Sequence, residues 1–131
     1  MIHSYPKVFN LGHAAIADLL LDPVVVEEKI DGSQFSFGVF DDQLQCRSRG
    51  QQINIDAPDS LFKLAVETIK GIAPRLHPNW TYRGEYLQKP KHNTLAYDRV
   101  PNNHIIIFDI NDGLESYIHP VRKWNAAILL G

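Results

Sequence analysis

The stretch Val24-Val25-Val26-Glu27-Glu28-Lys29-Ile30-Asp31-Gly32-Ser33-Gln34-Phe35-Ser36-Phe37-Gly38-Val39-Phe40 carries three signals in succession. Val24 to Ile30 is rich in β-branched residues and predicts a buried strand. Asp31-Gly32 predicts a tight turn. Gln34 to Phe40 alternates, with Phe35, Phe37 and Val39 on one face, as a half-buried strand does. This reading is a hairpin that brings Lys29 to the end of a buried strand. A cation carried into a core is costly unless it is paired or used. A desolvated amine is also a candidate nucleophile. Taken alone, the same residues read equally as a plain turn with Lys29 solvated at its edge, so the rest of the chain must separate the two.

Working outward, Asp41-Asp42 predicts a second turn and Gln43 to Ser48 a third strand. Upstream, residues 1–12 read as an extended arm punctuated by Pro6 and Gly12. His13 to Leu21 reads as a short helix stopped by Pro23. Downstream, Gly50 to Ala57 is a loop. A helix is expected from about Pro58 to Ile72, capped by Asp56 or Asp59, with Leu61, Leu64, Ala65, Thr68 and Ile69 inward. Pro74 and Pro78 end it. Trp80 to Leu87 is a fourth strand, and Gln88 to Asn103 a long polar loop of the kind that often carries function. His104 to Ile110 is the most apolar strand and is expected at the centre of the sheet. Asp112-Gly113 turns the chain, Leu114 to Ile118 is expected to pair back, and Pro120 opens a helix over Val121 to Leu130. Hairpins interleaved with a few helices give an α+β class, a mostly antiparallel sheet with flanking helices.

Composition narrows the function classes. The chain has 131 residues and a net charge of -2, which fits one domain, 1–131, and gives no global signature of nucleic-acid binding. Any such binding must be local. The single cysteine, Cys46, excludes an internal disulfide, suggests a reducing compartment and reads as a small core residue. Met1 to Pro6 has no apolar signal core, and no apolar run is long enough to span a bilayer. We therefore expect a cytoplasmic protein with no membrane partner.

Four further features follow Lys29 in order. Arg47-Ser48-Arg49-Gly50 ends the third strand, and two arginines at i and i+2 point the same way with forks suited to phosphate or ribose oxygens. Tyr82-Arg83-Gly84-Glu85-Tyr86-Leu87 places a carboxylate in an otherwise apolar strand, where it needs a hydroxyl, a cation or a metal. Phe108-Asp109-Ile110 ends the apolar strand with an aromatic that can stack on a base or simply fill the core. The loop 88–99 holds Lys89, Lys91 and Arg99, a candidate contact zone for a phosphate backbone.

The series Lys-x-Asp-Gly, Arg-Ser-Arg-Gly, Arg-Gly-Glu-Tyr-Leu and Phe-Asp-Ile resembles the covalent nucleotidyltransferase superfamily of ATP-dependent ligases and mRNA capping enzymes. Glu28 to Phe37, with the early Tyr5-Pro6-Lys7-Val8-Phe9-Asn10, is similar to RNA ligases of phage and RNA-repair type. The resemblance implies a partial, ATP-grasp-like adenylation domain using ATP and Mg²⁺. Lys29 would then attack the α-phosphorus and carry the nucleotide as lysyl-AMP. Around it, Glu28, Ile30, Asp31, Gly32, Arg47, Arg49, Glu85 and Phe108 would bind the nucleotide: Arg49 at the ribose or phosphates, Glu85 at the ribose hydroxyl, Phe108 on the base, Glu28 at adenine. The implied partner is RNA with 5′-phosphate and 3′-hydroxyl ends, with Lys89, Lys91 and Arg99 as RNA contacts. The resemblance leaves any metal ligand unknown.

The chain also departs from that pattern. The later Glu-containing and Lys-x-Lys motifs are not found, and Lys123 stands alone and too early to be one of them. We expect the first part of an adenylation domain, inactive or only weakly adenylating by itself. The alternatives are a nucleotide- or RNA-binding remnant without catalysis, or part of a DNA ligase or guanylyltransferase. The apolar end, Ala126 to Leu130, should pack on the core or on a second copy.

Overall fold

A computed structural model describes residues 1–131. Its centre is a five-stranded antiparallel sheet, β1 (Ser33–Phe40), β2 (Gln43–Ser48), β3 (Gln52–Ile53), β4 (Thr81–Tyr86) and β5 (Ile105–Asn111), in the order β3-β2-β1-β4-β5. Two helices flank it, α1 (Lys63–Ile72) and α2 (Pro120–Leu130). The α+β class expected from sequence is the class observed. The β1–β2 hairpin turns through Asp41 (φ 51°) and Asp42 (φ 61°), the two positive φ values that a two-residue turn matching strand twist requires. Short polar side chains tolerate that conformation better than most.

Alternation divides the sheet into two unlike faces. One face is the core: Phe35, Phe37, Cys46, Tyr82, Tyr86 and Ile110 pack against Phe62, Ala65, Val66 and Ile69 from α1 and its entry. Phe62 stacks on Phe35 at 5.8 Å, and Phe37 on Tyr82 at 5.3 Å. Burial pushes the Cys46 thiol up to about 12, which fits its expected role as an inert core residue. The opposite face carries a cross-strand row of Arg47, Ser36, Arg83 and Asp109, and beside it Gln34, Glu85 and Ile106.

Several expectations are overturned. Residues 24–30 form no strand: the segment is extended but unpaired, and Val26 is 89% exposed. No neighbouring strand offers it a ladder, and propensity alone cannot hold a strand. Asp31-Gly32 is not a turn either. The chain runs straight into β1, and Gly32 is required for close approach, since a Cβ there would lie 2.5 Å from the Tyr86 carbonyl oxygen. β5 is at the sheet edge, not the centre. Its apolar character is explained by the helix and loop that cover it.

The expected helix at 13–21 is two 3₁₀ turns, Ala14–Ile16 and Leu19–Leu21. α1 begins at Lys63 without a side-chain cap, and its inward stripe is Ala65, Val66 and Ile69, with Leu61 and Leu64 exposed. The return of 114–118 is reduced to one bridge, Asn111 to Tyr117. α2 starts at Pro120 as expected, and its end is clasped by Arg75, which donates to the Leu129 and Leu130 carbonyls at 3.1 Å each. Only part of the apolar end is covered: Leu130 is buried, whereas Ile128 and Leu129 are exposed. No helix is long and apolar enough to cross a membrane.

Candidate functional site

The polar sheet face gathers most of the chemistry. Glu85 sits in the middle strand of that face, and burial pushes its carboxyl above the ordinary value. The Gly32 N–H, donating to Oε2 at 3.2 Å, pulls the other way, as do the positive charges of Lys29 and Arg49. Lys29, Arg49 and Glu85 are thus electrostatic neighbours, although they come from three separate segments. Arg47 lies in the adjacent row, opposite Ser36, with its Nε buried and without a hydrogen-bond partner. A buried guanidinium donor left unpaired is an anion site in waiting, because the charge has already lost its water.

A β-bulge shapes the far end of the face. Arg83 pairs with Asp109 and Gly84 with Ile107, so Phe108 is the extra residue between them. The bulge re-aims its side chain. Phe108 meets Tyr5 edge to face at 5.1 Å, and the Tyr5 hydroxyl donates to Asp109 Oδ2 at 2.8 Å. Burial raises both of these acids above their ordinary values, Tyr5 most strongly. The N-terminal arm is laid across this end of the sheet. Arg83 donates to the His3 carbonyl at 2.6 Å, to Ser36 Oγ at 3.1 Å and to Asn111 Oδ1 at 2.9 Å.

Lys29 itself is exposed, contrary to the buried position expected from the apolar run. Its backbone is held by tethers on either side. Two residues before it, Glu27 accepts from the buried Lys123 Nζ at 2.6 Å, and Lys123 also donates to the Phe108 carbonyl at 3.1 Å. Two residues after it, the Asp31 carboxylate accepts from the Thr94 and Leu95 N–H groups at 2.9 and 2.8 Å. These bonds, Leu95 first, hold Asp31 below its ordinary value. Both the Lys123 tether and the loop tether escaped the sequence reading. A buried lysine in an apolar helix and the Asn93-Thr94-Leu95 run were the only signals that could have pointed to them.

Not every expected residue joins this face. Glu28 and Ile30 line a cavity of about 780 Å³ between the 97–103 loop, α1, α2 and β5. Lys29, Glu85, Arg49 and Phe108 are not part of it. Its charged walls are Glu27, Glu28 and Asp98 against Arg99, and the remainder is mostly apolar, which suits a triphosphate poorly. Lys89, Lys91 and Arg99 are exposed on the long loop. No group of three or more His, Cys, Asp or Glu side chains is arranged to hold a metal ion.

A family model described as RNA ligase matches residues 22–129. The chain belongs to the RNA ligase family. A search of curated proteins returned no match.

Proposed function

We propose that this chain carries out the nucleotidyl-transfer chemistry of an ATP-dependent RNA ligase, with Lys29 as the nucleophile. The observation that carries the reading is the convergence of Lys29, Arg49 and Glu85 on one polar sheet face beside the unpaired Arg47 Nε. A triphosphate laid on that face meets two arginines and a lysine. The Lys29 amine, having lost its proton, attacks the α-phosphorus in line. The new P–N bond forms as the P–O bond to the β-phosphate breaks, and pyrophosphate leaves with that electron pair. Arg47 and Arg49 offset the charge that develops on the phosphates. Glu85 has one oxygen engaged by Gly32 and the other, Oε1, without a protein partner, so it can accept a ribose hydroxyl. Phe108, turned out by the bulge, offers a ring to the base. Mg²⁺ would arrive on the nucleotide and neutralise its charge, since the protein supplies no ligand cluster.

Ligation would follow by transfer of AMP to an RNA 5′-phosphate and attack by a 3′-hydroxyl, in the cytoplasm. Lys89, Lys91 and Arg99 would meet the RNA backbone. Titrate ATP·Mg²⁺ into the protein and into Glu85→Ala and Phe108→Ala. Loss of the stacked ring should weaken binding by about 1–3 kcal/mol, and Glu85→Ala should weaken it as well. Unchanged affinity in both variants would place the nucleotide elsewhere.

A further inference from the structure

The loop expected to contact RNA does something else over residues 92–97: it grips the three residues that follow Ile30, one after another. Asp31 N–H donates to the Tyr97 hydroxyl at 2.8 Å, and its carboxylate takes the Thr94 and Leu95 N–H groups. The Gly32 carbonyl accepts from Asn93 Nδ2 at 2.7 Å. Ser33 Oγ meets His92 Nε2 at 2.8 Å. The Gln88 N–H donates to His92 Nδ1 at 3.1 Å, so Nδ1 is an acceptor and the ring proton is on Nε2, pointing at Ser33. Tyr97 N–H closes the loop on itself through the Pro90 carbonyl at 3.0 Å.

We infer that residues 92–97 position Lys29 for its chemistry, with His92 and Tyr97 as the positioning residues. The inference rests on the reading of Lys29 as the nucleophile. The segment 22–30 has no strand neighbours, so nothing in the sheet ladder fixes the Lys29 backbone. What fixes it is the Glu27–Lys123 pair on one side and this clasp on the other. The clasp grips side chain, N–H and carbonyl together, which sets both the height and the rotation of the chain entering β1. An in-line attack tolerates little error in either; a shift of about 1 Å typically costs on the order of 100-fold.

The test uses the full chain and single-turnover transfer of label from ATP to the protein, with ATP affinity and thermal stability measured in parallel. Tyr97→Phe removes one hydroxyl, and His92→Ala removes both ring contacts. We expect each to slow adduct formation about 10- to 100-fold at saturating ATP, with affinity within about twofold of wild type on the ground-state side of that argument. His92→Gln can accept from Gln88 and donate to Ser33, and should restore much of the rate. Unchanged rates, or rate and affinity falling together with stability, would overturn the inference. Should the wild-type chain form no adduct at all, the nucleophile reading fails, and amide hydrogen exchange decides the positioning claim by itself. Faster exchange at Lys29 to Asp31 in Tyr97→Phe supports the clasp, and unchanged exchange there rejects it.

Discussion

At the scale of single residues, His92 and Asp31 make the same loop respond to acid in two stages. Burial pushes the His92 pKa below its ordinary 6.5; Asp31 opposes that shift and Lys89 adds to it. Ser33, the Gln88 N–H and the Tyr86 ring, at 5.8 Å, are its uncharged neighbours. A lowered pKa on a base favours the neutral ring in the fold. The stability it contributes is therefore complete above 6.5 and is lost as pH falls through the lower folded value. Asp31 is an acid with a lowered pKa, so its contribution is present above 3.8 and lost only as pH falls through a value lower still. Amide exchange, corrected for intrinsic rates, should show Gln88 losing protection first and Thr94 and Leu95 only in stronger acid. Simultaneous loss at all three, or His92→Gln leaving the first stage in place, would refute this order.

At the scale of elements, the segment 22–30 is where sequence and structure part most sharply. Its valines have strand propensity, yet a strand is a property of a pair, and no strand lies beside it. β1, β2 and β4 were legible because their alternation is satisfied inside the chain, and the Asp41-Asp42 turn because its chemistry is local. β5 was misplaced for a related reason: a continuous apolar run says that both faces are covered, not that both edges are paired. The candidate site was legible as a list (Lys29, Arg47, Arg49, Glu85, Phe108) but not as a geometry. The bulge that turns Phe108, the arm that meets it and the clasp on Asp31 all depend on contacts far apart in sequence. Lys123 illustrates the point: dismissed as a stray basic residue, it is the anchor of the unpaired segment. Its side chain is 3% exposed and that of Glu27 is 39%. That asymmetry predicts unequal mutants. Glu27→Ala strands a buried ammonium and should cost about 3 kcal/mol. Lys123→Met leaves Glu27 able to regain water and should cost less, about 1–2 kcal/mol, mainly from the Phe108 carbonyl. Denaturant titration of both variants checks the ranking, and the reverse order would contradict it.

At the scale of the molecule, one sheet serves two purposes: its core face builds the fold with α1 and α2, and its polar face carries the charges. The apolar residues left outside that division are Ile128 and Leu129 at the end of α2, 76% and 77% exposed. We propose that they mediate self-association, and Ile128→Lys with Leu129→Lys should lower the apparent mass in sedimentation at high concentration without altering the fold. A mass that is monomeric in both proteins would dispose of that idea. The central claim is that Lys29 carries the nucleotide on the polar face, and it is tested most directly by mapping the adduct. Incubate the chain with labelled ATP and Mg²⁺, digest it and locate the modified residue by mass spectrometry. The account predicts AMP on Lys29 and none in Lys29→Ala. AMP on another residue, or equal labelling of Lys29→Ala, would contradict it.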